Sequence, residues 1–154
     1  MKNIIKILIV SFLLISCKST MVDSGLIVKT SPYDIETTYS KLKDIITNNP
    51  NLTLLLDLDH SKNAASVNLN LDPTRVLMFG NPKLGTPLMK ANQTIGIDLP
   101  QRILIYKSPS SGTMISYNDP MYLKKRHNLS SNDEVFKKIS KALDDITNKV
   151  ITAK

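Results

Sequence analysis

Cysteine, tryptophan and histidine are almost missing from this sequence. The chain holds one cysteine, Cys17, no tryptophan, and two histidines, His60 and His127. A single thiol cannot build a disulfide framework within the chain, so apolar packing has to stabilise the fold. A tetrahedral zinc site cannot be assembled from neighbouring residues either, because no paired-histidine motif is present. We therefore predict no metal and no cofactor.

Aromatic residues are also scarce, at 5% of the chain, although the net charge is +7. Proteins that read nucleic acid combine a basic patch with a recognisable reading motif. Here the basic residues are scattered among acidic ones and no such motif is present, so we expect no nucleic-acid partner. An excess of lysine is also a property of proteins that bind anionic membrane surfaces, but the same scattering among acidic residues weakens that interpretation.

The sequence lacks a hydrophobic run long enough to span a membrane. The mostly apolar stretch at residues 7–16 is shorter than the roughly 20 residues that a membrane-spanning helix needs. It follows the basic residues Lys2 and Lys6 and ends in a small residue, Ser16, which completes the three parts of a secretory signal. We predict that residues 1–16 are a signal peptide.

The ending Leu14-Ile15-Ser16-Cys17 resembles the lipobox of bacterial lipoproteins, in which the cysteine thiol receives a diacylglycerol and becomes the first residue of the mature chain. The resemblance implies lipid attachment at Cys17, a short tether over residues 17–24, and an extracytoplasmic domain anchored to the bacterial membrane. Two acyl chains anchor a protein stably, whereas one holds it only marginally. Lys18 favours the outer membrane under the sorting rule of enteric bacteria. The alternative interpretation of Cys17 is a buried or incidental thiol.

The rest of the chain alternates between strand and helix signals. Leucines at every second position from Leu52 to Leu58 predict a strand with one buried face. Helix starts are predicted at Ser31, which precedes a proline, and at Thr86, which also precedes one. Two strands joined by a glycine-containing loop at 108–112 predict a hairpin. The predicted strands are 25–30, 52–58, 76–79, 102–107 and 113–118.

A long amphipathic helix is predicted at the C-terminus, over residues 132–152. Ser131 and Glu134 have the spacing of a capping box. The apolar stripe that follows favours packing on the sheet over a dimer interface, and consists of Val135, Phe136, Ile139, Leu143, Ile146 and Val150. Together the elements indicate a single α+β domain over residues 25–154, with two layers and a mainly antiparallel sheet packed against helices.

Four segments carry more polar groups than packing requires: residues 57–60, 79–86, 97–100 and 117–127. Strand alternation places His60 on the opposite face from the two preceding aspartates, so a solvated strand end is favoured over a metal site. A glycine-bearing turn beside Lys83 has the form of an anion site, but a structural turn is favoured. No catalytic residue can be assigned. The candidate ligand-binding residues are His60, Asn81, Lys83, Asp98, Tyr117, Asn118, Asp119, Arg126 and His127.

Several short motifs resemble the bacterial family called domain of unknown function 302. They are Asp59-His60, Ala64-Ala65, Pro73-Thr74, Phe79-Gly80-Asn81-Pro82, Gly85-Thr86, Leu88-Met89, Asp98-Leu99-Pro100 and Tyr117-Asn118-Asp119-Pro120. The resemblance runs from about Gly25 to Leu129, and Asn68 stands where the family usually has glycine. It implies an antiparallel sheet under helices, similar to the TATA-binding-protein-like architecture, and brings no established activity.

Two functions from different classes remain open from the sequence. The first is a lipid-anchored, extracytoplasmic binding or accessory module without catalysis. The alternative is a small enzyme or ligand carrier with a polar pocket around the Asp-His, Gly-Asn-Pro-Lys and Tyr-Asn-Asp-Pro motifs. A homodimer, formed through the last helix or the sheet, is a further expectation.

Overall fold

An antiparallel sheet of five strands, in the order β1-β5-β4-β3-β2, is the framework of the domain. The computed structural model describes residues 24–152, so the predicted signal peptide, Cys17 and most of the tether lie outside the described residues. The strands are β1 (Leu26–Ser31), β2 (Thr53–Asp59), β3 (Thr74–Gly80), β4 (Gln101–Ser108) and β5 (Gly112–Asn118). The helices are α1 (Ile35–Thr47), α2 (His60–Ala65), α3 (Pro82–Ala91), α4 (Pro120–Arg126) and α5 (Asp133–Ile151), and a 3-10 helix spans Gln93–Ile97. The predicted α+β class is confirmed.

The hydrophobic core lies between one face of the sheet and the helices α1 and α5. Alternate residues of the three inner strands point to this face because successive side chains of a strand point to opposite faces. The predicted stripe of α5 is buried against them, with Val135 only partly buried. The most buried members from sheet and helices are Leu42, Ile46, Leu77, Phe79, Ile103, Ile105, Ile115, Phe136, Leu143 and Val150.

The strand β2 departs from the predicted alternation of leucines. Leu54 pairs with Phe79 on the core side, but the register shifts between Leu54 and Leu56. A bulge adds one residue to a strand, so every later side chain moves to the other face. Leu55 at the bulge is 56% exposed and Leu56 is 39% exposed, while Asp57 takes the core-side position opposite Leu77. The prediction of one buried leucine face was therefore wrong beyond Leu54.

Two helix starts also differ from the prediction. The helix α1 is capped by Asp34, whose carboxylate accepts a hydrogen bond from the Thr37 amide at 2.7 Å. Ser31 ends β1 instead, and its hydroxyl lies 2.7 Å from the hydroxyl of Thr38. Asp34 caps the helix in place of Ser31 because Asp34 lies directly before Ile35, the first helical residue.

The helix α3 begins four residues earlier than predicted. Asn81 is its N-cap and Pro82 its first residue, while Pro87 lies inside the helix. Proline at the first helical position sacrifices no hydrogen bond, so Pro82 fits the start better than Pro87.

The predicted capping box of α5 is absent. Asn132 is the N-cap and makes no side-chain hydrogen bond to the helix, and Glu134 pairs with Lys137 at 2.9 Å. Asp133 contacts Lys124 of α4 instead. Asp133 and Glu134 in the first turn still stabilise the helix, because their negative charges interact favourably with the positive end of the helix dipole.

The β4–β5 hairpin is confirmed, with a loop at residues 109–111 that is shorter than predicted. Between residues 24 and 152 there is no helix that combines the length and hydrophobicity needed to cross a membrane.

Candidate functional site

An apolar cavity of about 310 Å³ lies where β3 leads into α3. Its volume is at the lower end of the range for small-molecule sites in proteins. One wall comes from the end of β3 and from α3, a second from the segment before β4, and a third from α5. The apolar lining includes Phe79, Leu84, Met89, Leu99, Leu143 and Ile146.

The turn between β3 and α3 gives the cavity its shape. The Asn81 side chain accepts a hydrogen bond from the Lys83 amide at 2.9 Å, which fixes the start of α3. A side chain at Gly80 would place its Cβ 3.2 Å from Pro100 Cβ, tighter than most real contacts. Glycine therefore allows Pro100 to close the cavity wall beside β3.

A groove of about 770 Å³ adjoins the apolar cavity. We call it the polar groove because its lining contains more polar side chains than that of the cavity, although apolar atoms still provide most of its surface. The two share Leu52, Asn81, Leu84, Ala142 and Ile146 as lining residues, so they adjoin each other at these side chains. The groove lies between the end of α1 and the outer part of α5. Its polar lining comprises Asp44, Asn48, Asn49, Asn51, Asp145 and Lys149.

Asp98 and His127 form a buried hydrogen-bonded pair, and Asp98 directly precedes Leu99 and Pro100 of the cavity wall. The His127 Nε2 lies 2.6 Å from Asp98 Oδ2, and their side chains are 6% and 10% exposed. The half-exposed Arg126 lies with its Nη1 3.5 Å from the other carboxylate oxygen, Asp98 Oδ1. The pair joins the end of α4 to the segment that continues into Leu99 and Pro100. It thereby fixes the position of that cavity wall.

Thr94 extends this pair into a chain of hydrogen bonds. Its hydroxyl lies 3.0 Å from His127 Nδ1 and donates to Asn92 Oδ1 at 2.9 Å. The side-chain amide of Asn92 also donates a hydrogen bond to the backbone carbonyl of His127 at 2.8 Å. An Asp-His-hydroxyl series has the order of a nucleophile with its base. The Thr94 hydroxyl also contacts Asn92, so the series links the end of α4 to the segment at residues 92–98.

The nine predicted ligand residues do not line one pocket. The strand register places Asn81, Asp98, Asn118 and Asp119 at one end of the sheet. His60 follows β2 at the opposite end, where Asp59 pairs with Arg75.

The two ends of the sheet are separated by the full length of the strands. The structure brings together only Asp98, Arg126 and His127. The Asp-His motif at residues 59–60 therefore cannot share a pocket with the other two motifs.

The other predicted residues have separate positions. Asn81 lines the cavity, and Lys83 is exposed on α3. Asp119 caps α4 by accepting from the Met121 amide at 2.9 Å. Asn118 pairs with Leu26 at the end of β5, and Tyr117 is buried in the core.

A polar cluster that the sequence analysis missed lies on the helix-covered face of the sheet. The Tyr39 hydroxyl donates to Asp57 at 2.5 Å, and Lys43 reaches the same oxygen at 2.9 Å. The guanidinium of Arg75 stacks on the Tyr39 ring at 3.3 Å and pairs with Glu36 at 2.8 Å. The spacing of Tyr39 and Lys43, one helical turn apart, was the available signal. The bulge that turns Asp57 towards them was not visible.

Electrostatics at Asp57 favour the ionised form. Burial alone would raise the pKa of Asp57, but the hydrogen bonds from Tyr39 and Lys43 outweigh it, so the pKa lies below its usual value.

A second such network ties β1 to α5. Lys29 donates to Asp144 at 2.6 Å, Thr147 at 2.8 Å and Asn148 at 2.7 Å. The hydrogen bond from Lys29 lowers the pKa of Asp144. The same ammonium lies 5.9 Å from the centre of the Tyr117 ring. Tyr117 therefore serves packing between β5 and this network.

No group of three or more histidine, cysteine, aspartate or glutamate side chains among residues 24–152 has the geometry to hold a metal ion.

Comparison with known proteins places this fold in a family. The chain matches "Domain of unknown function DUF302" over residues 27–146, and it belongs to that family. An uncharacterised conserved DUF302 protein from Bacillus stearothermophilus has a similar crystal structure, with a TM-score of 0.72 and 17% sequence identity. The match covers 82% of this chain and 98% of that one.

Curated relatives are longer proteins. Two are named fluoride-specific ion channel FluC 1, from Brucella suis biovar 1 (strain 1330) and Brucella abortus biovar 1 (strain 9-941). Each is 32% identical over 117 residues, which is 76% of this chain. The chain spans less than half the length of these relatives, 46% and 43% respectively.

Proposed function

We propose that this protein is a lipid-anchored, extracytoplasmic binding module without catalysis, and that its ligand is an amphiphile. The observation that carries the proposal is that the apolar cavity and the polar groove adjoin each other and share five lining residues. The motifs that resemble the family support the same location, because Gly80, Asn81, Gly85, Leu99 and Pro100 all line the cavity.

The cavity favours an apolar ligand group. Its walls offer leucine, isoleucine, methionine, phenylalanine and proline side chains, with few polar atoms to satisfy a polar ligand. Burying a polar group there without a hydrogen-bond partner costs free energy, while burying hydrocarbon releases it. An acyl or similar hydrocarbon chain matches this lining.

The groove favours an uncharged, hydroxyl-bearing head group. Asn48, Asn49 and Asn51 supply amide donors and acceptors, and Asp44 and Asp145 supply carboxylates. Lys149 is the one cation in the groove lining, and Asp145 is already paired with Lys141 at 2.8 Å. With Asp145 neutralised by Lys141, one carboxylate and one ammonium remain in the lining, and this balance favours a head group without net charge.

Attachment to a membrane fits such a ligand. Lipidation at Cys17 would hold the domain within a short tether of the bilayer, where amphiphiles are concentrated. The curated relatives support a membrane setting, because a protein named as an ion channel works in a membrane and carries a matching segment.

The ligand proposal is tested on protein extracted from its own host. Lipid extracts of the purified protein are compared by mass spectrometry for wild type and for Ala142→Phe, which fills the cavity from α5. Wild type should retain a non-covalent amphiphile with an uncharged head, and the variant should lose most of it.

Ala91→Phe is the matched control because Ala91 is exposed and lines neither cavity. It should retain the ligand like wild type. Equal retention by all three proteins, or an empty wild type, would refute the proposal.

A further inference from the structure

Among the described residues, the face of the sheet opposite α1 and α5 is largely apolar and partly exposed. Within residues 24–152, α1 and α5 pack on the other face. On the free face Leu26 is 49% exposed, Val28 48% and Leu56 39%. An antiparallel sheet with one solvated face normally alternates apolar with polar residues. An extended apolar face therefore indicates an interaction surface.

The strand register shows how continuous this open face is. One row across the sheet runs Val28, Ser116, Leu104, Val76 and Leu58, from edge to edge. Ser116, the single polar member of the row, is only 4% exposed.

The flanking rows of the open face are more mixed. One contains Leu26, Asn118, Arg102, Met78 and Leu56, and the other Thr30, Met114, Tyr106 and Thr74. Arg102 is the only charged side chain of the open face within the described strands.

We infer that the open face is the interface of a homodimer, in which two copies stack sheet on sheet. The charge distribution favours a protein partner over a lipid surface. Surfaces that lie on anionic membranes carry lysine and arginine around their apolar residues. The open face has no lysine, although the chain as a whole is rich in that residue.

The size of the face suits a dimer. Five strands about 4.8 Å apart and six or so residues long cover roughly 24 by 20 Å. Two copies would bury on the order of 1,000 Å², the size at which a specific interface begins. Stacked sheets lie about 10 Å apart, so side chains of the two faces would interdigitate.

Symmetry selects one arrangement of the two copies. A closed dimer has a two-fold axis, which for stacked sheets lies in the plane between them. Leu104 is central, since β4 is the middle strand.

The direction of the axis decides what Arg102 meets. A two-fold axis parallel to the strands would place Arg102 of one molecule opposite Arg102 of the other. A two-fold axis perpendicular to the strands places Arg102 opposite the partner's Tyr106, where a cation and an aromatic ring make a favourable contact. The second arrangement also pairs Leu104 with Leu104 and Val28 with Val28.

Cysteine cross-linking of the full chain in host membranes tests the arrangement. Leu104→Cys should form a covalent dimer with a short bifunctional maleimide, because two copies of this position face each other at the axis across the spacing of stacked sheets, about 10 Å, which is beyond the reach of a direct disulfide. Lys138→Cys, on the exposed side of α5, should cross-link no more than wild type. Wild type also controls for Cys17. Cross-linking of Lys138→Cys without that of Leu104→Cys would overturn the inference.

Sedimentation of the full chain in detergent provides the second measurement. Wild type should be dimeric, and Val28→Asp should dimerise at least about tenfold more weakly, because two buried like charges would meet. Lys138→Asp should behave as wild type, and circular dichroism should show all three folded. A monomeric wild type would overturn the inference, as would a dimer that Val28→Asp leaves intact. A monomeric wild type whose Cys17→Ala form binds anionic vesicles, with that binding lost on Val28→Asp, would assign the open face to the membrane instead.

Discussion

At the scale of single residues, Asp57 shows how a charge is held beside a core. Its side chain is 27% exposed and accepts hydrogen bonds from both Tyr39 and Lys43. Such charge-assisted bonds are stronger than neutral ones because an ionised partner deepens the attraction.

We expect Asp57→Asn to lower the free energy of unfolding by about 2 kcal/mol at neutral pH, the usual value for hydrogen bonds to a charged group. Because the folded pKa of Asp57 lies below its unfolded value, this stabilisation is complete above about pH 4 and is lost as the pH falls through the folded pKa. Urea unfolding at several pH values should show the difference from wild type shrinking in acid. Glu134→Gln, which alters an exposed pair, should change stability little. A pH-independent difference would contradict the assignment.

Asp98 and His127 provide a second residue-scale prediction. Removing one member of a buried hydrogen-bonded pair leaves the polar atoms of the other unsatisfied, so Asp98→Asn or His127→Gln should each lower the free energy of unfolding by about 2 kcal/mol. The double variant should cost clearly less than the sum, since two amides can hydrogen-bond to each other. Thermal or urea unfolding measures the cycle. Arg126→Gln, at a half-exposed position, should cost under about 1 kcal/mol, and strict additivity of the buried pair would exclude the coupling.

At the scale of elements, α3 combines a helix start fixed by Asn81 with a glycine inside the helix. Gly85 has ordinary backbone geometry, and a Cβ there would meet Leu99 and Met89 at 3.8 and 3.9 Å, which is normal contact. Its lack of a side chain therefore serves the cavity rather than the backbone.

We expect Gly85→Ala to raise the free energy of unfolding by about 0.5–1 kcal/mol, because glycine destabilises a helix interior relative to alanine. The same methyl group should reduce the amphiphile retained by the cavity. Unfolding curves and lipid extraction of one preparation would check both effects. Gly96→Ala is the matched control, since its Cβ would also meet Met89, at 3.8 Å, but Gly96 does not line the cavity. Loss of stability in Gly85→Ala would show that the glycine is required by the backbone.

At the scale of the whole molecule, attachment to the membrane is a separate property from the fold. The first strand begins at Leu26, nine residues after Cys17, so the proposed anchor and the proposed binding site can be altered independently.

We expect Cys17→Ala to move the protein out of the membrane fraction, because no described helix can replace the lipid. Fractionation of host cells with immunodetection measures this, and Ser19→Ala is a control within the same tether. A Cys17→Ala protein that stays in the membrane fraction would refute lipid anchoring, while the ligand proposal would stand on its own test.

The sequence by itself determined the elements whose signals are local. The stripe of α5, the β4–β5 hairpin and the α+β class follow from periodicity and turn residues, which depend on neighbours along the chain. Nine polar residues could be marked as candidates, but sequence carries little information on which of them meet.

Only the tertiary structure decided the rest. A one-residue bulge sent Leu56 and Leu58 to the open face and Asp57 to Tyr39, and no local pattern specifies a bulge. The cavity and the Asp98–His127 pair join segments far apart in the sequence, so they exist only once the sheet has set its register. Periodicity is a property of the chain, whereas contact between distant side chains depends on how the strands are aligned.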